Sequence, residues 1–261
     1  MTNLSLQIVM GRRKRKKRGF PVGVLVGFDE QVIHIWKIFS ESVKKYDQIP
    51  LERKWKNATE KDRYHFYEDL LNILRDLIER GLKSIFLVSP QGKNWSVGFR
   101  THLEKHHRWL IGSRGNNQAS FGQISGKARS YNEVRYLLEQ ETTKEIIKKT
   151  TSQEAYFLIK ELEKSINSNN PNIKVLYGLR EIEDVIYEGG KRDDSVSDKL
   201  DYLLLTDEFL ENHKQKNRVY RLKQIANNKG ITTKIISEES PAGERIAQFG
   251  GIMSFKTVGY F

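Results

Sequence analysis

The chain of 261 residues contains no cysteine, which excludes disulfides, thiolate zinc sites and a cysteine nucleophile at once. No apolar run approaches the roughly 18 to 20 residues of a membrane span. The first charges follow a short mixed stretch, the reverse of the order in a secretory signal, so a cytoplasmic protein with no membrane partner is expected. No Gly-x-x-x-x-Gly-Lys motif is present, so any nucleotide hydrolysis belongs to a partner. Acidic residues are in short supply: 33 Asp and Glu stand against 45 Lys and Arg, a net charge of +12. That excess is concentrated in places, which favours a nucleic acid over an acidic membrane as the polyanion bound. Apolar residues make up 38%, with 12 Phe and 11 Tyr, enough for one large or two ordinary packed cores.

Two stretches carry the concentration. The first is the unbroken run Arg12, Arg13, Lys14, Arg15, Lys16, Lys17 and Arg18. Like charges in a row repel into an extended arm unless phosphates neutralise them. A solubilising tail and a nuclear-localisation signal share this composition. The second is SRGNNQASFGQISGKARS, residues 113–130, which has no Asp or Glu and holds Arg114, Lys127 and Arg129 around a Gly115-Asn116-Asn117-Gln118 centre. With one isoleucine and one phenylalanine, it is expected to be a mobile basic loop that buries too little to pack.

Around these stretches, hydrophobic periodicity predicts a hairpin of strands at 20–28 and 31–40, joined at Asp29-Glu30. A helix follows, capped by Thr59 with Asp62 three residues on, its apolar face running from Tyr67 to Ile78 and its end at Gly81. A buried strand at 83–88, a short helix at 98–105 and a strand at 108–111 lead into the basic loop. Helices are expected at 131–148 and 151–166, and a polar turn after them. Strands at 173–177, 200–205, 232–236 and 252–255 then alternate with helices at 179–187, 207–227 and 243–248. Such alternation predicts an α/β/α layered domain. The expected organisation is a basic arm over 1–19, a mixed-sheet α/β domain over 20–149 and a layered α/β domain over 150–261.

Several segments resemble Pelota and the archaeal and eukaryotic class-1 release factors: HFYEDLLNIL, SIFLVSP and KELEK early on, then YGLREIEDV, DYLLLTDEFL and SPAGERIAQFGGIMSF, including Gly178, Asp207, Gly243, Glu244 and Gly251. The resemblance covers roughly 20–258 and corresponds to the central and C-terminal domains of those proteins, without a counterpart of their N-terminal mRNA-reading domain. The loop itself is most similar to that of the VMS/ANKZF peptidyl-tRNA hydrolases of ribosome quality control, with His107-Arg108-Trp109 where that family has His-Arg-Tyr and Gly126-Lys127-Ala128 downstream. This resemblance implies a translation factor acting on stalled or terminating ribosomes. It places Gln118 at the peptidyl-tRNA ester, with Gly115, Asn116 and Asn117 shaping the catalytic loop. It implies ribosome, tRNA and ribosomal RNA as partners, no cofactor, and a translational GTPase or ribosome-splitting ATPase alongside. The sequence departs from the family pattern where Asn116-Asn117 stand for Gly-Gly or Gly-Ser.

Ester hydrolysis in an RNA-walled cavity asks for a held water and hydrogen-bond donors on the developing oxyanion, which a backbone N–H and an amide side chain can supply. Asparagine is the non-glycine residue that best tolerates the positive φ such a tip can require. Arg108, Arg114, Lys127, Arg129 and the 12–18 run are the candidate phosphate contacts. The alternatives are an ordinary surface glutamine in an RNA-contacting loop and a non-catalytic rescue or RNA-binding factor. His102 and His106, at i and i+4, read as an exposed basic face rather than a metal pair. Asp193 and Asp194 read as solvated loop residues, and Trp95 and Trp109 as core or base-stacking aromatics.

Overall fold

The computed structural model describes residues 19–111, 118–167, 174–188 and 200–256. The 12–18 run, residues 114–117 and Asp193-Asp194 therefore lie outside the described residues. Strands β1 (Pro21–Phe28) and β2 (Val32–Phe39) form the expected antiparallel hairpin, with Val26 opposite Ile35. A third strand, β3 (Val43–Pro50), extends it on the outer edge. It escapes a periodicity reading because only Val43 and Ile49 are buried and the residues between them are exposed. Helix α1 (Glu60–Glu79) has the predicted capping box, Thr59 Oγ1 accepting from the Asp62 N–H and the Asp62 carboxylate accepting from the Thr59 N–H. Its buried face runs from Phe66 to Ile78.

Strand β4 (Ser84–Ser89) is buried at every position because it lies mid-sheet, parallel to both β1 and β5 (Ser120–Ser125). The first sheet has the order β3-β2-β1-β4-β5. Helices α1 and α2 (Trp95–His106) cover one face through a core of Val24, Val26, Leu70, Leu74, Ile85, Leu87 and Phe99. The other face packs Leu25, Trp36, Phe86 and Val88 against α4 (Tyr131–Glu139) and the start of α5 (Glu141–Asn167).

Three expectations are corrected here. The strand expected at 108–111 is a short helix, α3 (Arg108–Ile111), in which Leu110 is the one apolar residue buried. The helix break expected at 148–151 lies at Gln140, whose extended backbone separates α4 from a continuous α5. The helix expected over 207–227 is two, α7 (Asp207–Asn212) and α8 (Lys216–Asn228), parted where His213 turns extended.

The second sheet has the order β6-β9-β7-β8, built from β6 (Val175–Tyr177), β7 (Tyr202–Thr206), β8 (Thr232–Ile236) and β9 (Ile252–Phe255). One face carries α6 (Leu179–Glu188) and α8 through Ile182, Ile186, Val219 and Leu222. The opposite face receives α9 (Pro241–Gln248) and the later turns of α5, through Ala155, Leu158, Ile159 and Leu162. Two of the residues that carried the resemblance have plain structural reasons. A Cβ on Gly243 would fall 2.0 Å from the Ser237 carbonyl oxygen, and Asp207 Oδ1 accepts the Glu238 N–H at 2.8 Å.

Helix α5 thus touches both sheets, and Glu154 sits where they meet. Its carboxylate is buried, accepts from Ser84 Oγ of β4 at 2.5 Å and pairs with Lys234 Nζ of β8 at 2.9 Å. Lys83 lies close by, its ammonium 5.6 Å from the Tyr202 ring. Burial pulls its pKa below the ordinary lysine value, and the charge of Glu154 opposes that shift. Removing one member of a buried pair leaves the other charge uncompensated, at about 3–5 kcal/mol. Glu154→Ala is expected to lower unfolding stability by that order in a urea titration followed by circular dichroism. A change under about 1 kcal/mol would show that the pair does not hold the sheets together.

Candidate functional site

The glutamine segment begins on a well-anchored base. Helix α2 ends at His106, the Leu110 N–H bonds the His107 carbonyl at 2.9 Å, and α3 delivers the chain to Ile111. On the return side the Ala119 N–H bonds the Leu110 carbonyl at 2.9 Å and the Ser120 N–H bonds the Lys83 carbonyl at 2.8 Å. Residues 112–117 therefore join two fixed points that lie side by side. Gln118 itself is buried at 8% exposure, its amide Nε2 directed to the Ile111 carbonyl at 3.5 Å.

This corrects the picture of 113–130 as one unpacked loop. Ser120–Ser125 form β5, parallel to β4 along its whole length and buried at Ser120, Gly122 and Ile124. Small side chains achieve by close approach what the segment lacks in apolar area. A Cβ on Gly122 would meet Thr150 Oγ1 at 2.6 Å and Ile146 Cγ2 at 2.9 Å, so α5 lies directly on the strand. Ala128 is buried likewise, its carbonyl accepting from Trp36 Nε1 at 2.8 Å.

The described candidate phosphate contacts fall into two groups. Lys127 and Arg108 are exposed, Arg108 donating to the Glu104 carbonyl of the preceding helix. Arg129 is engaged by Glu133, with Nη2 to Oε1 at 2.8 Å. That hydrogen bond holds the Glu133 carboxyl below its usual range and reinforces the charge on Arg129. Glu133 also closes a capping box with Ser130 at the start of α4, so Arg129 helps to fix that helix before it meets any phosphate. Trp109 is exposed at 42% beside the Arg75 guanidinium, which lies 5.6 Å from its ring, and it offers a stacking surface near Arg108. Trp95 instead stacks on the core residue Trp55 at 5.7 Å.

The histidines are arranged differently from expectation. His106 is exposed, but His102 is buried, and its Nε2 lies 2.7 Å from Glu68 Oε1. His107 Nε2 lies 2.7 Å from the same oxygen. The pair that converges is five apart, not four, because α2 stops at His106 and the non-helical backbone at His107 (φ −133°, ψ 46°) swings that ring back. Burial lowers the His102 pKa against the pull of Glu68. The Glu68 pKa, pushed up by burial, ends below its usual value because both histidines bond the carboxylate. Tyr67, beside His102, is pushed up to about 12 by burial. Sequence reading missed Glu68 because it sits among the polar residues of α1, and spacing within one helix says nothing of a partner on another. Glu154 was also missed, although an acid at the head of the Leu158-Leu162 stripe of α5 was a legible signal.

An open groove of about 480 Å³ runs along the carboxyl ends of β4 and β5, lined by Ser89, Lys93, Asn94, Gln123 and Thr143 among others. Among the described residues no helix is long and apolar enough to cross a membrane.

The anchoring of the glutamine segment by β5 is open to test. Gly122→Val is expected to push α5 off the strand and cost about 1–3 kcal/mol by overpacking, with accelerated amide exchange at 119–125 as the local signature. Wild-type exchange at those amides would place the strain elsewhere.

Residues 152–255 match the family model described as eRF1 domain 3. A Pelota homolog of Pyrococcus abyssi is 22% identical over 200 residues, which span 77% of this chain and 50% of that protein, so the chain covers about half the length of this relative. Among solved structures, ribosome-bound archaeal Pelota, solved with ABCE1, superposes with a TM-score of 0.50 at 16% identity, over 94% of this chain and 62% of the other. S. cerevisiae Dom34, a translation termination-like factor interacting with Hbs1, is similar at a TM-score of 0.44 and 19% identity, over 89% of this chain and 62% of its own. The resemblance to Pelota and the class-1 release factors therefore holds: the chain is similar to that superfamily, through an eRF1 domain 3 match at 152–255 and a Pelota-like fold across both sheets.

Proposed function

We propose that the chain is a Pelota-like translation factor that acts on stalled or terminating ribosomes. The observation that carries this reading is the pairing of an eRF1 domain 3 segment with a first sheet that anchors Ile111 and Gln118 side by side and carries the exposed Arg108 and Lys127. In this reading Arg108, Lys127 and the 12–18 run meet tRNA or ribosomal RNA phosphates, and Trp109 stacks on an exposed base. The second sheet docks the ribosomal subunit or a translational GTPase or ribosome-splitting ATPase, as the ABCE1 seen with the Pelota neighbour suggests. Such a factor works in the cytoplasm.

Within that function, we assign nascent-chain release to hydrolysis of the peptidyl-tRNA ester, with the Gln118 amide and a backbone N–H of Gly115, Asn116 or Asn117 holding water and oxyanion. Reaching the ester requires Gln118 to leave its seat. The hydrogen bond it gives up, to the Ile111 carbonyl at 3.5 Å, is at the long limit, so breaking it costs no more than about 1 kcal/mol. Binding to RNA can supply that. The buried position of Gln118 favours a second reading, ribosome rescue without hydrolysis.

A single-turnover assay on stalled ribosome–nascent-chain complexes separates the two. Hydrolysis predicts peptide release by wild type and a loss of about 100-fold or more in Gln118→Ala, with ribosome binding retained. Ribosome binding and splitting without release, unchanged in the variant, establishes the second reading. Deleting 12–18 is expected to weaken ribosome binding and to flatten the log-affinity against log-salt slope. The flattening amounts to about 0.9 for each phosphate the arm neutralises on a duplex, or about 0.7 on a single strand. An unchanged slope removes the arm from the interface.

A further inference from the structure

We propose that Glu68, His102 and His107 form a binding site for a divalent transition metal of the zinc class, which staples α1 to the base of the 112–117 segment. Three N and O donor atoms, from α1, from α2 and from the residue that caps α2, converge within 4.8 Å of one another. Both imidazole Nε2 atoms approach one carboxylate oxygen at 2.7 Å, so without an ion both rings must present Nε2–H to the same acceptor. A metal replaces those two protons by one cation. Each neutral ring shifts its proton to Nδ1 and offers the Nε2 lone pair, while Glu68 supplies charge.

The donor set suits this exchange. Imidazole and carboxylate together favour zinc and its neighbours over calcium or magnesium, which prefer oxygen alone. At metal–ligand distances of about 2.0–2.1 Å, tetrahedral donors sit roughly 3.3 Å apart; no pair here, all within 4.8 Å, starts more than about 1.5 Å from that spacing, and Glu68 needs to withdraw from each ring by about 0.6 Å. Its side chain, at 24% exposure, has room to do so, whereas His102 at 6% is held by packing against Tyr64 and Tyr67. Three protein ligands leave a fourth position for water.

The location gives the staple a consequence. His107 precedes α3, whose last residue, Ile111, is the final fixed point before 112–117. A bond from His107 through the metal to α1 would hold that point to a helix whose Leu70, Leu71, Leu74 and Leu77 are fully buried. The chain has no thiolate to compete for the ion, so background binding rests on exposed histidines such as His65.

The test uses the untagged full chain, stripped with chelator and titrated with zinc chloride by calorimetry, with bound metal counted by mass spectrometry. A single equivalent bound at micromolar affinity or tighter is expected, together with a rise in melting temperature. His107→Asn and Glu68→Gln are each expected to weaken binding roughly tenfold or more. His65→Asn should leave it unchanged. Should either ligand variant fail to fold, cobalt(II) bound to the wild type reports the site instead, through the intense visible d–d bands of tetrahedral N/O coordination. No stoichiometric zinc, an affinity unchanged in His107→Asn, equal weakening by His65→Asn, or purely octahedral cobalt spectra would each overturn the proposal.

Discussion

A carboxylate buried between two sheets needs partners from both, and Glu154 has them in Ser84 on β4 and Lys234 on β8. Taking an isolated ion out of water costs several kcal/mol, so this side chain is tolerable only when both sheets are in place around it. That conditional tolerance makes the contact a specificity device as much as a source of stability. It defines how far along α5 each sheet can sit. The helix is long enough to serve both, with Ile146 and Thr150 against β5 and Ala155 to Leu162 against β7 and β9.

The glutamine segment inherits its geometry from the same helix. Because α5 lies directly on Gly122, β5 has one depth at which it can pair with β4, and that depth puts Gln118 at the sheet's end beside Ile111. The six residues between Ile111 and Gln118 therefore span a short gap whose ends are each tied to Leu110 or its neighbours. Ile111 and Gln118 are the two roots of that segment, and Gln118 is buried at its own. On the other side of the roots, the convergence of Glu68, His102 and His107 binds α1 to the same junction.

Much of the architecture was legible along the chain. The Thr59-Asp62 capping box, the apolar core of β4 and the strands Thr232–Ile236 and Ile252–Phe255 follow from patterns a few residues wide, where each residue's environment is set by its near neighbours. The errors share a cause. Ser120–Ser125 reads as loop because a strand of small residues is stabilised by what lies on it, and the covering turn of α5 is more than twenty residues away in sequence. Arg108–Ile111 reads as strand because Trp, Leu and Ile suit a pleated surface, yet its one backbone bond toward the sheet's edge is from the Ala119 N–H to the Leu110 carbonyl, and the segment closes a helical turn instead. The α4–α5 break was misplaced because the helical pattern persists through it and only the backbone at Gln140 marks the change.

The sequence alone determined the two α/β units, their class, the basic and cysteine-free character and the resemblance to Pelota, because hydrophobic period, caps and charge are local quantities. Tertiary structure decided the rest: the union of the sheets through Glu154, the burial of Gln118, the pairing of Arg129 with Glu133, and the meeting of His102 and His107 on Glu68. Those depend on distances between residues far apart in the chain or on how a side chain turns, and no spacing rule within a single element can supply them.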